Sequence, residues 1–176
     1  IYFADIGHNR RGTVWKLHTD GNLEALFTDF HAHNVALDAR DNLYTAHGED
    51  QHYMLRYSPE GQIDTMVFTL DWTKFFGGNA TYSTCLDKIV FQSKKYIWEV
   101  DSRLRPSKVS NLKLDWNQAL FAASDGCIYA TDIGDGKGKV YRIRENGSSE
   151  MLADNLISRL DRPYDKHADV LLGMGE

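Results

Sequence analysis

The sequence runs to 176 residues with 42% hydrophobic and 12% aromatic content, enough to bury a sizeable core and too apolar for a disordered chain. Its net charge of −5 is spread along the chain, and the densest basic pairs, Arg10-Arg11 and Lys94-Lys95, fall in predicted hairpin loops, so the basic stripe that nucleic acid requires is missing. No apolar run approaches the roughly 18 residues of a membrane span, which predicts a soluble chain with no membrane partner.

In chain order, alternation with period 2 predicts short strands throughout. Ile1 to Asp5 reads as the second strand of a sheet, Gly12 to Leu17 as the third, and Asp20-Gly21 as the turn into a fourth, Glu24 to Phe30. A complete unit follows in His31 to Tyr57: a strand from Asn34 to Asp38, a tight turn, a strand from Leu43 to His47, a loop, and a strand from Tyr53 to Tyr57. The turn Ser58-Pro59-Glu60-Gly61 leads into an outer strand predicted from Ile63 to Leu70, and Asp71 to Gly78 forms a longer connector rich in aromatics. The next unit, Asn79 to Asp115, has lost its Asp-Gly turn in favour of Ser102-Arg103-Leu104-Arg105. The unit from Asn117 to about Asn155 is marked by the turns Ser124-Asp125-Gly126 and Glu145-Asn146-Gly147. A polar connector then leads to Ala168 to Met174, which reads as one more opening strand.

Two markers repeat independently. Val14-Trp15-Lys16-Leu17, Met54-Leu55-Arg56-Tyr57, Ile97-Trp98-Glu99-Val100 and Val140-Tyr141-Arg142-Ile143 share one pattern and start 40, 43 and 43 residues apart. Ile1-Tyr2-Phe3-Ala4-Asp5, Leu43-Tyr44-Thr45-Ala46-His47, Ile89-Val90-Phe91-Gln92-Ser93 and Ile128-Tyr129-Ala130-Thr131-Asp132 start 42, 46 and 39 apart. A period of about 40–45 residues made of four short strands is that of a β-propeller blade. The expected architecture is therefore all-β, a single propeller unit over residues 1–176, with blades at 1–30 (partial), 31–71, 79–115 and 117–156, and 168–174 opening a further one. Two closures remain open: an arc of a larger, six-bladed propeller, or a four-bladed ring sealed by strands from both termini.

Cys85 and Cys127 match no CxxC or metal-knuckle spacing, and two buried free thiols are expected rather than a disulfide. The compartment stays open, since the sequence starts inside a repeat without Met or a signal-like segment. No serine nucleophile elbow, phosphate-cradling loop or dinucleotide fingerprint is present.

In a propeller the innermost strands start near the axis, so residues at their starts converge. Those starts are His33-Asn34, Gly78-Asn79, Trp116-Asn117 and His167-Ala168-Asp169. Oxygens from Asn34, Asn79, Asn117 and Asp169 suit a hard cation such as Ca²⁺. The alternative is that these asparagines hydrogen-bond the backbones of neighbouring blades. His31, His33 and His167 precede innermost strands too, and imidazoles there would favour Zn²⁺. In a catalytic site Asp169 is ligand or base, while His33 and His167 are candidate proton carriers. Asp5-Ile6-Gly7-His8 and Asp132-Ile133-Gly134-Asp135-Gly136 repeat one another; the second lacks the bidentate Glu of a calcium loop and reads as a glycine-rich hairpin.

The Φ-Tyr-x-Ala-Asp strands, the Asp-Gly turns and the opening His33-Asn34-Val35-Ala36-Leu37-Asp38 resemble the six-bladed propellers of the gluconolactonase / regucalcin (senescence marker protein) family and the related NHL-repeat proteins. The resemblance implies one divalent metal on the axis, held by Asn, Asp and Glu side chains from different blades, with Asn79, Asn117 and Asp169 the best matches here. The family's Pro-Asn-Gly context is absent around Asn79 and Asn117, and its Glu ligand would lie in a blade outside these residues. NHL-type lyases resemble the histidine pattern instead. Two functions follow from the resemblance: a metal-dependent hydrolase of a small lactone, ester or sugar acid, or a non-catalytic scaffold whose aromatics Trp72, Phe75, Phe76 and Trp116 grip a protein or glycan partner.

Overall fold

The computed structural model describes residues 1–5, 7, 11–47, 53–67, 69–70, 73–74, 77–93, 95–115, 119–134 and 138–155. Among them every regular element is a strand, and all pairing is antiparallel. The first blade has three strands, β1 (Tyr2–Asp5), β2 (Thr13–Leu17) and β3 (Leu23–Thr28). Blade 2 has four, β4 (Ala32–Leu37), β5 (Leu43–His47), β6 (Met54–Tyr57) and β7 (Ile63–Met66), in sequential order across the sheet. A two-stranded hairpin, β8 (Thr69–Leu70) with β9 (Thr73–Lys74), separates it from blade 3. Blade 3 comprises β10 (Gly77–Ser83), β11 (Lys88–Ser93), β12 (Tyr96–Val100) and β13 (Pro106–Lys108). Blade 4 comprises β14 (Leu120–Ala122), β15 (Ile128–Asp132), β16 (Lys139–Ile143) and β17 (Ser149–Ala153). These are the meandering sheets of a β-propeller, and the innermost strands β4, β10 and β14 lie in succession beside one another.

Each seam between blades is a separate apolar cluster, which is why the strands read as nearly continuous hydrophobic runs. Tyr2, Ala4, Val14 and Phe27 of blade 1 pack on Leu37, Leu43 and Leu55 of blade 2. The other face of blade 2, through Ala36, Tyr44, Ala46 and Met54, packs on Ile89, Phe91, Trp98 and Val100 of blade 3. Val90 and Ile97 on the far face of blade 3 meet Ile128, Ala130 and Ile143 of blade 4. Burying one such side chain stabilises by about 1.5–3 kcal/mol, so a blade is held chiefly by its neighbours.

Six turns share one geometry, starting at His18, Asp38, Ser58, Asp101, Ala123 and Arg144. In each, the fourth residue donates its N–H to the first carbonyl, and the first donates to the fifth. That combination requires a left-handed fourth residue, and Gly21, Asp41, Gly61, Leu104, Gly126 and Gly147 all have φ between 61° and 89°. The turn expected to be lost in blade 3 is thus retained in form. Asp101 holds it: Oδ1 accepts the N–H groups of Arg103 (2.9 Å) and Arg105 (3.0 Å), and Oδ2 accepts from the Arg105 guanidinium at 2.6 Å.

Three expectations need correction. The outer strand of blade 2 stops at Met66 rather than Leu70, because Thr69–Leu70 turns back to pair with Thr73–Lys74. The innermost strand of blade 3 starts at Gly77, two residues before Asn79. The thiols are free but not buried: Cys85 is exposed on the β10–β11 turn and donates to the Ser124 carbonyl at 2.5 Å. Cys127 is half-buried and falls in alternation with Tyr129, opposite to Ile128, which faces blade 3.

Candidate functional site

The axial end of the arc is built by the starts of β4 and β10. In blade 2, Ala32 opposes His47 and Val35 opposes Thr45; in blade 3, Gly77 opposes Ser93 and Ala80 opposes Phe91. Both ladders carry their irregularity at the same place, and Asn34 and Asn79 therefore occupy one register on adjacent innermost strands. Blade 4 departs from this. Leu120 opposes Ala130, which puts Ala119, not Asn117, at the equivalent position; Asn117 is two residues earlier and lies outside the described residues.

Asn34 shows what such a residue does. Its Nδ2 donates to the carbonyl of Ala80 at 3.2 Å, across the seam to blade 3, and its Oδ1 accepts the N–H of Val35 at 2.7 Å. Thr45, fully buried, donates to the Asn34 carbonyl at 3.0 Å. The amide is thus oriented by its neighbours, and an amide oxygen with two lone pairs retains one for a further partner. A ligand so oriented fits a metal centre, where partners behind the ligand fix its direction. Of the other expected site residues, Asn79 and His33 are described at the backbone only, and Asp169 and His167 lie outside the described residues, as do Trp72, Phe75, Phe76 and Trp116. His31 is buried at 4% exposure just before β4. Among the described residues no three His, Cys, Asp or Glu side chains are close enough to hold a metal ion.

One acidic group at this end escapes a reading based on innermost strands. Asp132, at the end of β15, is 6% exposed; its Oδ1 accepts the N–H of Gly134 at 3.0 Å and its Oδ2 that of Asp115 at 3.1 Å. Asp5 does the same for Gly7 at 2.9 Å in blade 1. The repeated Asp-Ile-Gly was the available signal: the Asp caps the residue two places on, closing the loop that leaves the second strand. Asp115 in turn pairs with Lys95 at 2.8 Å, and that contact holds the Lys95 ammonium above its ordinary pKa.

At the opposite end of the strands a cleft of about 280 Å³ opens between blades 2 and 3. Tyr44, Arg56, Tyr82, Asp87 and Asp101 are among its walls. Most of these groups are already engaged: Tyr44 donates to Asp38 (3.2 Å), Tyr82 to Asp87 (2.8 Å), and Arg56 to Asp64 (2.7 Å) and across the seam to the Ser102 carbonyl (3.3 Å). Burial holds the Tyr44 phenol above its ordinary pKa against the pull of Arg56. This end stitches blades together.

Comparison with solved structures agrees with the sheet topology. The chain aligns with virginiamycin B lyase from Staphylococcus aureus, solved with quinupristin, at a TM-score of 0.64 and 14% identity over 85% of this chain and 54% of that one. It aligns with a putative TolB from Agrobacterium tumefaciens at 0.65 and 13% over 87% and 60%. A gluconolactonase from Xanthomonas campestris aligns at 0.54 and 20% over 70% and 47%. These neighbours are β-propeller proteins, a hydrolytic enzyme and a lyase among them, and at these identities the likeness defines the fold: this chain is an arc of β-propeller blades spanning about half the length of the chains it matches. No protein-family model matches the chain, and no curated protein matches it in sequence.

Proposed function

We propose that this arc belongs to a divalent-metal-dependent hydrolase of small lactones, esters or sugar-acid esters, with its site at the axial ends of the innermost strands. The observation that carries the reading is the shared register of Asn34 and Asn79, with Asn34 already oriented by Ala80 and Val35. A gluconolactonase among the structural neighbours supports the same chemistry. Asn34, Asn79 and Asp169 are the residues that would hold the ion, with Asn117 two positions out of their register in blade 4; their all-oxygen donors suit Ca²⁺ best, with Zn²⁺ the alternative were His33 and His167 to coordinate. When bound, such an ion supplies Lewis acidity at a substrate carbonyl and acidifies a bound water. Asp169, His33 and His167 are the groups that would take up and return the proton. The substrate is small and polar, because the donors offered are amides, carboxylates and imidazoles.

A second reading has its own support. Asn34 spends its amide on the blade seam, as a purely architectural residue would, and a non-catalytic scaffold gripping a protein or glycan partner needs nothing more from it. Calorimetric titration with Ca²⁺, with turnover of a small δ-lactone measured on the same sample, separates the two. The hydrolase gives saturable heat and metal-dependent turnover, and Asn34→Ala weakens binding by tenfold or more. A folded sample with neither heat nor turnover leaves the scaffold.

A further inference from the structure

The cleft of about 280 Å³ between blades 2 and 3 lies at the end of the strands away from the axial asparagines, and both of its walls belong to blades with all four strands in place. The cations on those walls are already paired. Arg56 gives two nitrogens to Asp64 Oδ2 at 3.0 and 2.7 Å, Arg40 reaches Asp87 Oδ2 at 3.4 Å, and Lys88 pairs with Glu99 at 2.5 Å. An anionic ligand would have to break one of these pairs before it found a partner. Two of the carboxylates are committed as well: Asp38 accepts four hydrogen bonds, from the N–H groups of Arg40 and Asn42, the Asn42 amide and the Tyr44 hydroxyl, and Asp101 is occupied by its own turn.

The capacity left over is mixed. Asp64 Oδ1 is a free acceptor beside the oxygen that holds Arg56, and Asp87 Oδ1 accepts from Tyr82 with a lone pair to spare. The side chains of Glu60 and Gln62 line the cleft from an exposed turn and make no hydrogen bond among the described residues. Gln62 and the outer nitrogens of Arg40 add donors to these acceptors, so a donor-only ammonium group would leave part of the wall unmatched, whereas a hydroxyl group both donates and accepts. Apolar surface enters the lining only through Ile89, Val100 and the rings of Tyr44 and Tyr82, a narrow strip against which the C–H side of a small ring can lie.

We propose that this cleft binds a neutral polyhydroxylated ring of monosaccharide size, its hydroxyls donating to Asp64, Asp87 and Glu60 and accepting from Gln62 and Arg40. The volume sets the size, being at the small end of ligand cavities, with room for one ring and not for a nucleotide. The pairs that occupy the cations also fix the walls, since Arg56 reaches the Ser102 carbonyl of the other blade at 3.3 Å, and a wall already held in place loses little freedom when a ligand arrives. The site is separate from the axial one and does not rest on the hydrolase reading.

Calorimetry and ligand-observed NMR on the whole chain, with D-glucose as the probe beside gluconate and putrescine, test the proposal. Glucose binds saturably with a dissociation constant of about 1 mM, and gluconate and putrescine bind at least tenfold more weakly. Glu60→Ala combined with Gln62→Ala weakens glucose binding by tenfold or more and leaves the thermal midpoint and any lactone turnover unchanged, since neither side chain holds anything else. Asp87→Asn, on the other wall, keeps an acceptor for Tyr82 and tolerates the backbone at φ 47°, and it weakens glucose binding severalfold. Absence of saturable binding up to about 100 mM glucose overturns the proposal. So does gluconate or putrescine binding as tightly as glucose, and so does glucose binding that survives these substitutions, which places the sugar elsewhere.

Discussion

Asn34 donates its side-chain amide to the main-chain carbonyl of Ala80, a residue 46 positions further on, at 3.2 Å. The contact joins the innermost strands of blades 2 and 3 at the level where their ladders share an irregularity. Asn34→Ala leaves the part-buried Ala80 carbonyl and the Val35 N–H without this partner, a loss of about 1–2 kcal/mol. Urea unfolding should show a lower midpoint with an unchanged slope. Asn34→Asp keeps an acceptor for Val35 but cannot donate to Ala80, so it should recover only part of the loss; full recovery would mean that the seam bond contributes nothing.

Two glycines with like backbone angles should respond unequally to alanine. Gly61 has φ +89°, and an added Cβ would meet only the Tyr57 hydroxyl, at 3.9 Å, so Gly61→Ala suffers only the left-handed penalty of about 1–2 kcal/mol. Gly147 has φ +80°, and an added Cβ would sit 2.8 Å from the Val109 carbonyl oxygen, a backbone atom that cannot move aside cheaply. Gly147→Ala should therefore lower the midpoint of thermal unfolding distinctly further than Gly61→Ala. Equal shifts would show that the blade 3 to blade 4 connection yields there.

The second and third strands of every blade were legible because a blade packed against its neighbours places strict demands on alternate residues, and the motifs around Tyr2, Tyr44, Val90 and Tyr129 meet them four times. What was not legible depended on single side chains substituting for the usual backbone solution. Leu104 takes a glycine's conformation because the Asp101 carboxylate accepts four hydrogen bonds within the turn, and no local pattern announces that. The register of the axial asparagines depended on where the ladders break: Asn34 and Asn79 agree because both strands bulge before Val35 and Ala80, whereas pairing in blade 4 brings Ala119 to that position. The burial of Asp132 was hidden for a similar reason, since its partner Asp115 arrives from the preceding blade.

Phe91 and Phe121 make a contrast between seam and open face. Phe91 is 1% exposed within the cluster joining blades 2 and 3, and Phe91→Ala should cost about 3–5 kcal/mol through lost transfer energy and the cavity left behind. Phe121 is 51% exposed, so in a single chain Phe121→Ala should change stability by less than about 1 kcal/mol. Chemical unfolding of the two variants gives these values. Equal losses in the two variants would show that Phe121 is as well covered as Phe91.

Asp101 gives the blade 3 turn a defined response to acid. Its carboxyl is held below the ordinary value first by the backbone N–H of Arg105 and then by the Arg105 side chain. Since the folded pKa is the lower of the two, the carboxylate's contribution is complete above the pKa of the unfolded chain and is lost as pH falls through the folded value. Asp101→Asn keeps an acceptor for the two backbone N–H groups and removes the titration. The variant should be less stable at neutral pH, having lost the charged pairing with Arg105, and its stability should fall less steeply into acid than that of the unaltered protein. Unfolding free energies measured at stepped pH on both chains give the two slopes directly; parallel curves would show that the strain at Leu104, φ 62°, is carried without help from the ionised Asp101.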